Sequence, residues 1–326
     1  MADRRSADRH RRCGDGSSDD LHRRALLEVR GTTMGEETRY GILVGVDGSR
    51  ESAAAVRWAA REAQLFGVPL TLMCVVTPVS VNWPVGPLQE TISEFERQNA
   101  EQALKYAREE ALSISTAGKP IDVRAELQRG PTLPALIDAS KEAQMTIVGS
   151  RGMGTLKRLV MGSVSTGLIH HAHGPITVVH SRSGELPDVG LPILLGIDGS
   201  PASEAATAVA FEEAARRDVV LLAAHVWSVG YGLPAEGADL RGYEQRAEAT
   251  LAERLAGWQE RYPQVDVRRH VEFDEPAHWL VQKSRTTQLV VLGSHGRGGF
   301  TGMLLGSISS AVAQSVTVPL TVVRPR

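Results

Sequence analysis

The chain has 326 residues, a formal net charge of -2, and 42% hydrophobic and 23% charged residues. This composition is that of a soluble globular protein with room for two domains of about 150 residues, and the near-neutral charge excludes a general attraction to nucleic acid or to an anionic membrane. Because it has no apolar run near the roughly 20 residues that span a bilayer, and only two cysteines, we expect a cytoplasmic protein without membrane or nucleic-acid partners.

Residues 1–37 are rich in arginine and aspartate and have little apolar patterning. Such a segment buries too little apolar surface to fold alone, so we predict a disordered N-terminal extension. Met34 lies just before the first apolar strand, which makes it an alternative start of translation to Met1. The folded part of the chain is therefore expected to begin at residue 38.

From residue 40 onward, short apolar runs alternate with helical patterns. Runs rich in β-branched residues, bounded by glycine or proline, are typical of buried strands. This alternation predicts a parallel sheet with right-handed crossovers and helices on both faces, the doubly wound α/β class. The predicted strands are 40–46, 70–76, 123–127, 145–148 and 176–179, and the predicted helices are 50–66, 90–116, 131–143 and 163–173.

The same order then repeats after a polar linker, residues 182–190. We therefore predict one duplicated unit, with domain 1 at residues 38–181 and domain 2 at residues 191–326. Asp198 follows Asp47 by 151 positions, whereas Gly293 follows Gly149 by 144. Domain 2 is thus shorter by about seven residues, which we assign to the loop after its second strand.

Each copy carries the same glycine spacing after its fourth strand. Gly149 and Gly152 are followed after nine residues by Gly162-Ser163, and Gly293 and Gly296 are followed in the same way by Gly306-Ser307. Glycine lets a ligand approach the backbone, and the free N–H groups and dipole at a helix start attract an anion. The P-loop signature is missing from both copies, so the spacing predicts a different phosphate-binding loop.

An aspartate ends the first strand of each copy. In an open α/β sheet ligands bind beyond the carboxyl ends of the strands, so neighbouring first and fourth strands would place Asp47 and Asp198 opposite the glycine loops. A carboxylate repels phosphate but accepts hydrogen bonds from sugar hydroxyls or a base amine. We favour this mononucleotide site over the alternative that the aspartates only cap the next helices, since Ser49 and Ser200 can supply those caps.

These motifs resemble those of the universal stress protein family, in its tandem-domain, ATP-binding, actinobacterial form, over about residues 40–324. The family pattern Gly, two residues, Gly, nine residues, Gly-Ser/Thr is complete in both copies. So is the strand-one Gly-x-Asp, as Gly45 to Asp47 and Gly196 to Asp198. The resemblance implies a five-stranded sheet of order 3-2-1-4-5 in each domain, ATP bound by each domain together with Mg²⁺, and a homodimer formed through the fifth strands.

The resemblance also implies which residues contact ATP, including the second-strand valines whose backbone reaches adenine. In domain 1 they are Gly45, Asp47, Val75, Gly149, Ser150, Arg151, Gly152, Met153, Gly154, Gly162, Ser163, Val164 and Ser165. In domain 2 they are Gly196, Asp198, Val226, Gly293, Ser294, His295, Gly296, Arg297, Gly298, Gly299, Gly306, Ser307, Ile308 and Ser309.

The two predicted sites are not equal. Arg297 offers a charge-assisted hydrogen bond to phosphate, whereas Met153 stands at the matching position of the first copy, although Arg151 is close by in sequence. Lys157 and Arg158 are also close by in sequence. Losing such a charge-assisted bond costs about 1.5 to 3 kcal/mol, or ten-fold or more in affinity, where no other group compensates. We therefore predict weaker ATP binding at the first site.

The favoured function is an ATP-binding regulatory protein of the stress or dormancy response, in which nucleotide changes conformation or dimerisation for an unknown protein partner. A fast ATPase would also need a placed metal, a group that orients water and a transition-state cation, and only Arg297 offers the last, so we expect at most slow hydrolysis. Two alternatives stay open: a nucleotide hydrolase or nucleotidyl transferase, and a scaffold for another adenylate such as cyclic AMP. No metal site made by protein side chains is expected, since His170, His171 and His173 lack a cysteine or carboxylate in register.

Overall fold

A computed structural model describes residues 38–78, 86–114, 120–152, 161–181, 184–227, 240–296 and 305–325. The extension predicted at residues 1–37 lies outside these ranges. The first half consists of β1 Ile42–Gly45, α1 Arg50–Phe66, β2 Leu70–Val76, α2 Gly86–Ile114, β3 Val123–Arg129, α3 Thr132–Ser140, β4 Met145–Gly149, α4 Ser163–His171 and β5 Ile176–Val179. The second half consists of β6 Ile193–Gly196, α5 Pro201–Arg217, β7 Leu221–Trp227, α6 Leu240–Arg261, β8 Val267–Phe273, α7 Pro276–Ser284, β9 Leu289–Gly293, α8 Ser307–Ser315 and β10 Leu320–Val323.

The strands form one ten-stranded sheet of order β3-β2-β1-β4-β5-β10-β9-β6-β7-β8. Within each half the neighbouring strands are parallel, and each half has the predicted order 3-2-1-4-5. The central strands β1, β4, β5, β9 and β10 are almost entirely buried, as expected for strands covered by helices on both faces. The predicted doubly wound α/β class is therefore confirmed.

The two halves are joined by an antiparallel pair, β5 with β10. Thr177 lies opposite Thr321 in this pair, and their buried hydroxyls are hydrogen-bonded at 2.8 Å. The fifth strands thus pair within one chain, which corrects the expectation of a homodimer through them. Because β5 also pairs with β4, and β10 with β9, neither fifth strand has a free edge for a second copy.

Serine caps begin the helices that follow the first strand of each half. The Ser49 side chain accepts a hydrogen bond from the Ser52 N–H, and Ser200 accepts one from the Ser203 N–H. Such caps satisfy a backbone donor that the first helical turn leaves open. The helix predicted at residues 131–143 is shorter, because the chain leaves α3 after Ser140 and the Gln144 N–H bonds to the Gly41 carbonyl.

The length difference between the halves lies between the second and third strands, as the offset of the numbering requires. Residues 79–85 and 228–239, which follow the second strands, lie outside the described residues. The helices described next have 29 residues in α2 and 22 in α6. The assignment of the difference to the loop after the second strand stays a prediction.

Helices α1 and α5 meet around a buried group of charges. The Arg217 side chain, 4% exposed, donates to Glu62, to Glu213 at 3.1 Å and to Gln288 at 3.3 Å, and its guanidinium lies 4.8 Å from the Trp58 ring centroid. Burial, and then the charge of Glu62, raise the pKa of Glu213 to about 8, and burial also raises the pKa of Glu62. Two carboxyls facing one guanidinium therefore retain a proton at neutral pH.

Candidate functional site

A cleft of about 1120 Å³ opens at the carboxyl ends of β1, β2 and β4 in the first half. It brings together residues that lie as much as 120 positions apart in the sequence. Among the predicted site residues, its lining contains Gly45, Asp47, Val75, Gly149, Arg151, Gly152, Gly162, Ser163, Val164 and Ser165. Ser150 is buried beside the cleft and donates its N–H to the Val179 carbonyl at 3.0 Å, while Met153 and Gly154 lie outside the described residues.

The aspartate at the end of the first strand touches the glycine loop in both halves. Oδ1 of Asp47 accepts the Ser49 N–H at 2.9 Å, and a Cβ added at Gly152 would clash with Oδ2. In the second half Asp198 has the same relation to the Ser200 N–H, also at 2.9 Å, and to Gly296. The serine side chains cap the helices. One oxygen of each aspartate therefore closes the turn before the helix, and the other oxygen lies against the glycine loop.

Glycine also begins the helix that follows each loop. The Gly162 N–H donates to the Ser150 carbonyl at 2.8 Å, which folds the loop back before α4 begins. Because Gly162 has no side chain to cap the helix, the N–H groups of its first turn are left for an anion. The Ser165 hydroxyl donates to the Gly149 carbonyl at 2.7 Å, so the side chain of this serine holds the loop in place. Its backbone N–H belongs to the first turn of α4, where an anion could accept a hydrogen bond.

The second half repeats this frame around α8. Gly306 donates its N–H to the Ser294 carbonyl at 2.7 Å, and the Ser309 hydroxyl donates to the Gly293 carbonyl at 2.7 Å. Ser307 and Ile308 complete the first turn of the helix. These two hydrogen bonds are therefore common to both loops.

The fourth strand ends in close contact with the helix after the first strand. A Cβ at Gly149 would lie 2.7 Å from the Glu51 carbonyl carbon, and one at Gly293 would lie 2.6 Å from that of Ala202. Backbone atoms cannot yield at such distances without moving the helix. These two glycines therefore fix the distance between the aspartate turn and the phosphate-loop candidate.

The part of the first cleft beside the glycine loop contains a charged pair that was not predicted from the sequence. A guanidinium nitrogen of Arg151 lies 3.5 Å from a carboxylate oxygen of Glu51, and both residues line the cleft. At the matching positions the second half has His295 and Ala202, and the Nδ1 atom of His295 lies 2.9 Å from the Ser294 hydroxyl. In the sequence, Glu51 is marked only by its place four residues after Asp47. Acidic residues are common in the first turn of a helix because they interact well with the helix dipole, so this place alone does not indicate a role in the cleft.

The far end of the first cleft is formed by β2 and α2. Val75 lies next to Cys74, whose thiol pKa is raised to about 11 by burial and then by the charge of Asp47, so this cysteine is a protonated wall residue. Helix α2 adds a polar wall that sequence reasoning did not assign, including Glu96, Asn99 and Tyr106. Tyr106 is 62% exposed and stands at the mouth.

The corresponding end of the second half is more aromatic. Val226 in β7 is followed by Trp227, which packs against Phe273 of β8 with ring centroids 4.7 Å apart. His225, at the position of Cys74, has Nδ1 at 2.7 Å from the Ile197 carbonyl. The two halves therefore share their backbone frame and differ in the side chains around it.

Comparison with known proteins identifies the family. The model of the universal stress protein family matches residues 41–180 and again residues 191–324. The chain belongs to the universal stress protein family. A universal stress protein of Mycolicibacterium smegmatis is 55% identical over 289 residues, which cover 89% of this chain and 98% of that protein. One from Mycobacterium tuberculosis is 47% identical, with coverage of 88% and 97%.

Solved structures agree with this universal stress protein in fold. The crystal structure of a universal stress protein from Archaeoglobus fulgidus is similar over 87% of this chain and 96% of that chain, with a TM-score of 0.61 and 19% identity. That of a putative universal stress protein from Pseudomonas aeruginosa has a TM-score of 0.55 at 16% identity, covering 90% and 95%. The resemblance recognised in the sequence is therefore confirmed at the level of family and fold.

The remaining predicted residues of this universal stress protein are placed as follows. Gly196 ends β6, where an added Cβ would lie 2.5 Å from a Leu292 methyl group, and the buried Ser294 donates its N–H to the Val323 carbonyl at 2.8 Å. Arg297, Gly298 and Gly299 lie outside the described residues. Within the described ranges no three histidine, cysteine or acidic side chains are grouped as a metal site, and none of the helices there is long and apolar enough to cross a membrane.

Proposed function

We propose that this universal stress protein binds ATP in two clefts, one in each half, and acts as a nucleotide-dependent regulator in the stress or dormancy response. The observation that carries the proposal is the convergence of three parts in one cleft: the Asp47 turn, the Gly149 to Gly152 loop, and the uncapped start of α4 at Gly162. Its repetition around Asp198, Gly296 and Gly306 supports a second site.

The chemistry of these parts suits the regions of a mononucleotide. The first-turn N–H groups of α4 and its dipole favour the phosphates, and Mg²⁺ would enter with them. Asp47 repels phosphate and accepts hydrogen bonds from ribose hydroxyls or an amine. Val75 lies at the end of β2, where backbone groups of the strand can face the base edge. We infer that ATP extends from Val75 across Asp47 to Gly162.

A regulatory role is supported by the path from each loop to the middle of the sheet. Ser150 and Ser294, inside the two loops, donate their N–H groups to Val179 and Val323, the last residues of β5 and β10. Arg324 also donates to the carbonyls of Ile169, at 3.1 Å, and of His170 in the last turn of α4. A ligand that moves either loop therefore acts on the pair of strands that joins the halves.

Homodimerisation stays a prediction, and its interface would have to lie away from β5 and β10. Hydrolysis is proposed to be slow at most, because the glycine loop, the uncapped helix start and the aspartate turn are what nucleotide binding needs, whereas fast hydrolysis also needs a placed metal and a transition-state cation. Steady-state turnover of ATP with Mg²⁺ well above one per minute would favour the hydrolase or transferase alternative instead.

Thermal unfolding with ATP, ADP, AMP and cyclic AMP tests the proposal. A ligand present at a hundred times its Kd adds about 2.7 kcal/mol of stability, so we expect a clear rise in Tm with ATP. The double variant Gly152→Ala and Gly296→Ala, whose new Cβ atoms push the two aspartates aside, should melt like the wild type without ligand and show no rise. A wild-type chain whose Tm is unchanged by millimolar adenylates would contradict the proposal.

A further inference from the structure

The first cleft has a carboxylate at the end where the phosphates are proposed to bind. Glu51 lies in the first turn of α1 and lines the cleft together with Arg151, Gly152 and Gly162. Its side chain is 24% exposed, so solvent screens its charge less than that of a fully exposed acid. An anion at the start of α4 therefore meets this carboxylate within the same cleft.

The position of Glu51 is fixed by the backbone. Its carbonyl carbon would lie 2.7 Å from a Cβ at Gly149, so the first turn of α1 is packed against the start of the glycine loop. Only the side chain can turn away, and turning away breaks its ion pair with Arg151 at 3.5 Å. Arg151 is thus already engaged by an acid of the same cleft.

The second half lacks this acid. Ala202 stands 151 positions after Glu51, is fully buried, and packs against Gly293 as Glu51 packs against Gly149. Every hydrogen bond of the loop frame described above is shared by the two halves. Of these two positions, only the one in the first half therefore carries a carboxylate, beside a loop backbone that both halves share.

We propose that Glu51 makes the first cleft select against phosphate charge, so that this cleft takes adenosine monophosphates in preference to ATP. The proposal rests on the proposed function, since it requires that the cleft bind adenylates. Each further phosphoryl group brings more negative charge towards Glu51 and must compete with it for Arg151. A monophosphate satisfies the N–H groups at Gly162 with less of that repulsion.

The test uses the full chain with the second cleft disabled by Gly296→Ala, so that calorimetric titration reports the first cleft. With EDTA present to remove cations that would neutralise Glu51, we expect AMP to bind more tightly than ATP. Glu51→Ala, which gives the first half the residue found in the second, and Glu51→Gln should each shift the ratio of the two Kd values about five-fold towards ATP. The control Glu101→Gln removes an equal charge on α2 outside the cleft, where Glu101 pairs with Arg97, and should leave the ratio unchanged.

The outcomes separate this inference from the proposed function. If the ratio is the same in the Glu51 variants and their parent, or shifts equally in Glu101→Gln, the inference is wrong while ATP binding stands. The inference also fails, alone, if the wild type binds adenylate and the Gly296→Ala chain binds none. If the wild-type chain itself binds no adenylate, both proposals fail together.

Discussion

The two halves of the chain have the same loop frame and different side chains around it. Ser165 and Ser309 bond to the glycine carbonyls at the same distance, 2.7 Å, whereas Ala202 takes the place of Glu51 and Trp227 takes the place of Val76. The backbone geometry of the glycine loop is thus kept where the side chains around it have diverged. The comparison predicts equal costs for breaking the frame and unequal effects on binding.

The largest effect is expected at the two glycines that contact a helix backbone. Gly149→Val and Gly293→Val should each lower the free energy of unfolding by about 3 kcal/mol, because the new side chain must displace the start of α1 or of α5. Urea unfolding of both variants checks this. Gly257→Ala in α6, where an added Cβ meets nothing within 4 Å, is the control and should be neutral or stabilising. Clearly unequal losses in the two halves would show that the frames are not equivalent.

The next effect concerns binding with the fold kept. Gly152→Ala and Gly296→Ala should each weaken ATP binding at its own cleft by about ten- to a hundred-fold, since the displaced carboxylate loses its charge-assisted hydrogen bonds to the nucleotide. Two-site calorimetric titration measures which cleft is lost. Asp47→Asn and Asp198→Asn are the matched variants with the glycines intact. Full ATP affinity at a cleft with its aspartate removed would exclude that aspartate from the site.

The buried charges between α1 and α5 predict a dependence of stability on pH. Glu62 and Glu213 occupy the same position in the two repeats, and Arg217 of the second repeat forms an ion pair with both. The folded pKa of Glu213, about 8, lies above its usual 4.5. The contribution of protonated Glu213 to the free energy of unfolding is therefore complete below pH 4.5 and is lost as the pH rises through about 8. We expect the stability of the wild type relative to Glu213→Gln to fall by about 1.4 kcal/mol per pH unit inside that window.

Chemical unfolding from pH 5 to pH 9 measures this slope. Glu204→Gln, on the same helix, breaks a more exposed ion pair with Arg254 and should keep the pH dependence of the wild type. A slope that survives Glu213→Gln unchanged would assign the titration to another group.

The smallest effect is the difference in ATP affinity between the clefts. With one cleft disabled at a time by Gly152→Ala or Gly296→Ala, the second cleft should bind ATP about ten-fold more tightly than the first, as the contrast between Arg297 and Met153 predicts. Arg297→Met in the chain with only the second cleft should remove the part of that advantage that the arginine supplies. Equal affinities in the two single-cleft chains would contradict the prediction.

Most of the fold could be predicted from the sequence, because its strands are short runs of buried β-branched residues bounded by glycine. The order of the strands came from the family resemblance, since an alternating pattern does not say which strands are neighbours. The pairing of β5 with β10 inside one chain was not predicted. The two fifth strands are alike in sequence, Ile176–Val179 and Leu320–Val323. Two such strands can pair between two chains or within one chain that contains both domains, and the sequence does not distinguish these cases.

Of the site, the glycines and aspartates were predictable, because their spacing repeats and each type has a conformational or chemical reason. Glu51 and Arg151 were not paired in the sequence reading, since a hundred residues separate them and each looks like an ordinary surface charge. The Glu62, Glu213 and Arg217 group was missed for a related reason. Charges in an alanine-rich helical pattern indicate a solvated face, and here that face is covered by the equivalent helix of the other half.

The pair of strands that joins the halves has a consequence for how the protein responds in a cell. An assembly made from separate chains through such strands would come apart on dilution, and its occupancy by ligand would vary with the amount of protein. Here the partner strand is covalently attached, so its effective concentration does not depend on expression level. The pairing of the two halves is therefore the same whether the cell contains few copies or many.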